Sequence, residues 1–149
     1  MTRDEKYMRL ALEQANEALL LNEIPVGAII LHGDTVVGTG FNRREKDRDP
    51  IAHAEIIALR KAAQAIGDWR LDGFEMFCTL EPCAMCAGAI LNSRIKRLVF
   101  GAFDTSDGFF GGNVDITSLY MNKSHVEVLG GVLQEECTEL LKRFFIERR

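Results

Sequence analysis

From residue 4 to residue 21 the apolar positions Tyr7, Met8, Leu10, Ala11, Leu12, Ala15, Ala18 and Leu19 recur at helical spacing, which gathers them on one face of an amphipathic helix. NEIP, residues 22–25, then stops the segment with a proline. The period changes next. VGAIIL (26–31) and TVVGTGFN (35–42) are β-branched runs on either side of HGD, and they predict a hairpin. Residues 52–66 return to helical spacing, with Gly67 where a C-terminal cap belongs. EMFCTL (75–80) reads as a strand, CAMCAGAILNS (83–93) as a short helix and IKRLVFGA (95–102) as a strand. Between 103 and 124 the pattern is poor: SDGFFGG (106–112) predicts a flexible loop and VDITSLYM (114–121) a short helix. HVEVLGG (125–131) predicts a last strand, and LQEECTELLKRFFIERR (133–149) a closing amphipathic helix.

Helices and strands interleaved in this order imply a mixed sheet with helices on both faces, a three-layer α/β/α sandwich. No repeat, low-complexity tract or linker interrupts the pattern, so residues 1–149 are expected to form a single domain. The helix over 84–91 is apolar or small around nearly its whole circumference. It should pack on the sheet and be covered on its other side as well, by a second subunit.

Composition narrows the classes. A chain of 149 residues with 47% hydrophobic and 27% charged positions can bury a core without disulfide staples. Its apolar runs are far shorter than a membrane span, and its charged N-terminus is unlike a secretory signal, so the expected location is the cytoplasm. A net charge of −4 argues against indiscriminate nucleic-acid binding, though local basic clusters remain. Cys78 and Cys137 read as buried, unreactive thiols. Cys83 and Cys86 form a Cys-x-x-Cys, which in a cytosolic chain means metal or redox chemistry.

Two segments ask to be read together. HAEIIALRKAA (53–63) puts His53 and Glu55 at the start of one helix, and CTLEPCAMCAGAI (78–90) puts Cys83 and Cys86 at the start of another. Helix N-termini favour thiolate, the form that zinc binds. Two sulfurs and an imidazole make three ligands, and a tetrahedral zinc with three protein ligands keeps its fourth position for water, as in a catalytic site. His32, in the hairpin turn, and His125, at the start of a late strand, read as surface or edge residues, and Cys78 should face away. Glu55 can then carry the proton that attack by water releases. Taken singly, Glu55 would also suit a solvated first turn, and Cys-x-x-Cys a structural zinc knuckle or a redox pair.

His-Ala-Glu followed by Pro-Cys-x-x-Cys resembles the zinc-dependent nucleoside and nucleobase deaminases. EIPVGAII, GTGFNRRE, DPIAHAEIIALRKAA, GDWRLDG, TLEPCAMCAGAILNSRIKRLVFGAFD and GVLQEECTELLKRFF are similar to the bacterial tRNA-specific adenosine deaminases over nearly the whole chain. The resemblance implies a cytidine deaminase-like fold with a five-stranded mixed sheet, a homodimer, one Zn²⁺ per subunit, and conversion of the wobble adenosine of a tRNA anticodon stem-loop to inosine. It makes His53, Cys83 and Cys86 the zinc ligands and Glu55 the proton shuttle. It further implies that Asn42 hydrogen-bonds the purine, that the backbone around Ala54 and Pro82 lines the base pocket, and that Asp104 lies near the substrate. Asn42, with a donor and an acceptor, suits a ring edge.

The resemblance departs in two places. TSDGFFGGN (105–113) stands where the relatives usually have a lysine, a glycine and small residues ending in serine, and MNKSH (121–125) replaces Met-Asn-His-Arg. Lys123 and His125 are candidates to replace basic contacts, and Phe109 and Phe110 to stack on bases. Arg43, Arg44, Lys46 and Arg48 near the site, with Lys142, Arg143, Arg148 and Arg149 at the end, are candidates for anticodon-stem phosphates; Arg94, Lys96 and Arg97 form a third basic group. Two other readings stay open here: deamination of a free base or nucleoside such as guanine, cytosine or adenosine, and a zinc-stabilised interaction module without activity.

Overall fold

A computed structural model describes residues 1–119 and 126–147. Helix α1 (Arg3–Leu20) starts at Thr2, whose hydroxyl accepts the Glu5 N–H while the Glu5 carboxylate accepts the Thr2 N–H. This reciprocal box satisfies two donors that a helix start leaves open. The predicted hairpin is β1 (Gly27–His32) and β2 (Thr35–Phe41), paired antiparallel with a register shift between Ile30 and Leu31. Next come α2 (Ala54–Ile66), β3 (Glu75–Leu80), α3 (Ala84–Asn92) and β4 (Arg97–Ala102). A single turn, α4 (Ile116–Leu119), precedes β5 (Glu127–Gly130) and α5 (Gln134–Glu147).

The sheet runs β2-β1-β3-β4-β5, with β1 antiparallel to both neighbours and β3, β4 and β5 mutually parallel. Alternation of side chains across the pleat sends Ala28, Ile30, Met76, Cys78, Leu98 and Phe100 into a core with α2 and α3. Ile29, Leu31, Phe77 and Val99 point the other way, into a core with Tyr7, Met8 and Ala11 of α1 and Cys137 of α5. Two apolar faces on one sheet account for the three layers expected from the element order. The described segments form the five-stranded mixed sheet that the resemblance implies.

Glycine sets the height of α2 over the sheet. A Cβ at Gly40 would collide with the Ala54 carbonyl, and one at Gly38 with the Ala58 carbonyl, so only glycine lets the first two turns of α2 lie directly on β2. At the opposite end of the sheet Arg97 donates to Asp4 (2.7 and 2.8 Å) and to Glu75 (3.0 Å), and Arg3 reaches the same Glu75 at 2.8 Å. These half-buried ion pairs pin the start of α1 to β3 and β4.

Boundaries moved where local chemistry overrode periodicity. The helix predicted from residue 52 begins at Ala54, because His53 has extended backbone and serves as N-cap. The helix predicted over 114–121 is one turn among the described residues, and the last strand is four residues long. Lys123, His125, Arg148 and Arg149, and the whole MNKSH segment, lie outside the described residues. Phe110, expected as a base-stacking candidate, is instead buried in the core beside Ile116, and Phe109 packs against the same cluster. The loop that carries them, expected to be flexible, is tied down by the hydrogen bonds given below.

Candidate active site

His53 and Cys83 are the N-cap residues of α2 and α3, and neither side chain makes a capping hydrogen bond. They turn toward each other instead. Cys86, one turn into α3 and buried, completes the group. The His53 Nδ1 atom lies 3.7 Å from Cys83 Sγ and 3.6 Å from Cys86 Sγ, and all three ligand atoms are within 4.8 Å of one another. Zinc bonds of about 2.3 Å to sulfur and 2.0–2.1 Å to nitrogen, at tetrahedral angles, would separate sulfur from nitrogen by roughly 3.5 Å. Both nitrogen–sulfur separations therefore match edges of a tetrahedral zinc's polyhedron. No other group of three or more potential ligand residues comes together among the described residues. Cys78 stays in the core with its thiol on the Leu80 carbonyl, and His32 stacks on Phe74.

The donors' electrostatics also suit a cation. The hydrogen bond with Cys86, together with His53, holds the Cys83 thiol down at about 4. The same sulfur contact and burial push Cys86 up, and the contact with Cys83 raises His53. A divalent cation would hold both sulfurs as thiolates and the imidazole as a neutral donor, displacing the protons on Cys86 and His53. Two helix N-termini meeting at this point favour the thiolate form of the sulfurs that would bind it.

Glu55, in the first turn of α2, is buried, and burial pushes its carboxyl up to about 7. An acid with that value takes up and gives back a proton near neutral pH. It shares with His53 and Cys83 the wall of a cavity of about 490 Å³, within the size range of small-molecule sites. Asn42 and Ala54 line the cavity too, as do Arg44 and Asp104. The Asn42 amide donates to the Ile24 carbonyl and its oxygen accepts the Arg44 N–H, so one of its two donors and one of its two acceptor positions are engaged. Pro82 is not on the cavity wall; it is buried and its carbonyl accepts the Phe109 N–H.

Other lining residues had not been expected from the sequence. Leu141 and Phe145 come from α5, Phe103, Thr105 and Asp107 from the loop after β4, and Ile24 and Val26 from the approach to β1. Ile24, Val26, Phe103, Leu141 and Phe145 lie within the segments that carry the resemblance, but no local pattern marks them as cavity residues. Of the basic groups, Arg43 is paired with Asp47, Arg94 with Asp72 and Arg97 with Asp4 and Glu75, while Arg44 faces the cavity. A second groove of about 690 Å³ between α1 and α5 is lined by Glu13, Glu135, Glu136 and Glu139 against Arg9 and Arg143. That surplus of acids disfavours phosphate.

Residues 1–102 match the cytidine and deoxycytidylate deaminase zinc-binding region. The chain belongs to that family. It is 50% identical to the tRNA-specific adenosine deaminase of Haemophilus influenzae over 147 residues, 98% of this chain and 85% of that protein. Its identity to the tRNA-specific adenosine deaminase of Bacillus subtilis is 41%, over 100% of this chain and 92% of that one. A solved structure from a study of A-to-I editing by tRNA:A34 deaminases at the wobble position superposes with a TM-score of 0.83 at 36% identity, covering 91% of this chain and 98% of that one. The family match and the ligand geometry together make His53, Cys83 and Cys86 its zinc-binding triad.

Proposed function

We propose that the chain is a zinc-dependent hydrolase that converts the wobble adenosine of a tRNA anticodon to inosine, with release of ammonia. The observation that carries this reading is the three-ligand cluster beside a buried carboxylate, in one cavity, on a chain half identical to a tRNA-specific adenosine deaminase. Zinc held by His53, Cys83 and Cys86 supplies the Lewis acid that makes water nucleophilic near neutral pH. Glu55 takes one proton from water as its oxygen bonds to purine C6 and passes it to the ring nitrogen, then moves the remaining proton of that oxygen to the amino group, so that ammonia leaves as the C–N bond breaks and the C6 carbonyl forms. Asn42 holds the purine edge with its remaining donor and acceptor. The Ala54 backbone bounds the base, and Pro82 braces the loop that carries Asp104 by accepting the Phe109 N–H. Asp104 borders the substrate from the opposite loop.

The same reading takes residues 1–149 as one catalytic domain with one Zn²⁺ and places the enzyme in the cytoplasm with its tRNA. No helix among the described residues is long and apolar enough to cross a membrane. It also makes the enzyme a homodimer, because α3 leaves Met85, Gly88, Ala89 and Leu91 half-buried and Ala84 exposed, a small apolar face suited to a second copy.

The test is to incubate the zinc-loaded protein with an anticodon stem-loop carrying adenosine at the wobble position and, separately, with free bases and nucleosides. Inosine in the stem-loop, with ammonia in equal amount, is expected. Ammonia from guanine, cytosine or adenosine alone would move the assignment to a free-base or nucleoside deaminase, and none from any substrate would sink it.

A further inference from the structure

Two acids that the chemistry above does not use are 2% exposed: Glu23, in the connection from α1 to β1, and Glu81, two residues before Cys83. Neither takes part in an ion pair among the described residues. Each carboxylate accepts backbone N–H groups from a loop that walls the cavity. Glu81 accepts from Asp104 (2.9 Å), Phe110 (2.9 Å) and Gly112 (2.8 Å). Glu23 accepts from Glu45 (3.2 Å) and Lys46 (2.6 Å).

Convergent backbone N–H groups make a concavity fit for an anion, and here the protein's own side chain fills it. The 104–112 loop is wrapped closely round that carboxylate: a Cβ at Gly108 or Gly112 would collide both with Glu81 and with the Asp104 carbonyl. Apart from one isolated bridge, Phe110 to Asp115, this loop has no strand partner, so Glu81 supplies much of what a sheet would otherwise provide. Its far side presents Asp104, Thr105 and Asp107 to the cavity, and the loop on Glu23 presents Arg44.

We propose that Glu81 and Glu23 are positioning residues: each anchors one of the two loops between which the substrate enters, and so fixes where the nucleotides flanking the reacting base are held. The inference rests on the RNA reading of the site. Glu81 sits two residues from a zinc ligand, so it also ties the placement of its loop to that of the metal.

The test uses the zinc-loaded full chain as wild type, Glu81→Gln, Glu23→Gln and Gly112→Ala. Glutamine sets an N–H₂ against backbone N–H groups. Gly112→Ala pushes the loop off an intact Glu81 and carries the test should Glu81→Gln not fold. KM for the anticodon stem-loop is expected to rise about tenfold with kcat little changed, as loss of uniform binding requires. Amide exchange should accelerate over 104–112 in Glu81→Gln and Gly112→Ala and over 43–48 in Glu23→Gln, with β3 and β4 unaltered. An unchanged KM, a fall in kcat alone, loss of zinc, or exchange rising evenly through the sheet would overturn the proposal. If wild type makes no inosine, the RNA reading fails on its own, and confinement of exchange to each loop still decides the anchoring.

Discussion

At the floor of the cavity His53 and Cys83 stand on the first residues of two helices packed on a five-stranded sheet, while at the rim Asp104, Thr105 and Asp107 stand on a loop with a single isolated bridge. The floor gets its precision from the fold itself: Gly38 and Gly40 let α2 down onto β2, and only three residues, the last of them Cys83, separate β3 from α3. The rim borrows its precision from one buried carboxylate. The contrast suggests a division of labour in which the reaction depends on rigid helix ends, and choice of substrate on loops that can diverge without disturbing them.

Breaking the floor chemically, and nothing else, should have the largest effect. Glu55→Gln is expected to lower kcat by about 10³-fold or more with zinc content unchanged, read by inosine release and metal analysis. Breaking it mechanically comes next. Gly40→Val drives a side chain into the Ala54 carbonyl and should destabilise the fold by about 1–3 kcal/mol or more, read as a lower Tm and weaker zinc retention. At the rim, Arg44→Glu should weaken stem-loop binding about tenfold and flatten its salt dependence by roughly one phosphate contact, with kcat in saturating substrate nearly unchanged.

The smallest effect lies far from both walls. The hydrogen bond from Arg97 holds the Asp4 carboxyl below its ordinary value of 3.8. A lowered native value means that this contribution to stability is complete above the ordinary value and is lost as pH falls through the lowered one. Asp4→Asn should therefore reduce Tm modestly near neutral pH and make its decline below about pH 4 shallower, leaving inosine formation unaffected.

Legibility in the sequence followed the same division. The three layers, the hairpin, both site helices and the zinc triad were readable because each rests on a local signal: period, a proline or glycine stop, or Cys-x-x-Cys beside His-x-Glu. The start of α2 was misplaced by two residues because His53 gives up helical backbone to reach the sulfurs. Beyond Ala102 the reading faded. Phe110 looks like an exposed aromatic in a Gly-rich loop, yet it is buried because Glu81, 29 residues away, holds its N–H. The contributions of Leu141 and Phe145 to the cavity depend on where α5 packs, which no local pattern encodes.

The central claim is a zinc gripped by three side chains, with its remaining corner left to chemistry and Glu55 beside it. X-ray absorption at the zinc edge of the loaded protein tests it most directly. Two sulfurs, one imidazole nitrogen and one light donor that changes when a purine analogue binds are expected, at one zinc per chain. A third sulfur or a second imidazole closing the shell, unaltered by the analogue, would contradict the account.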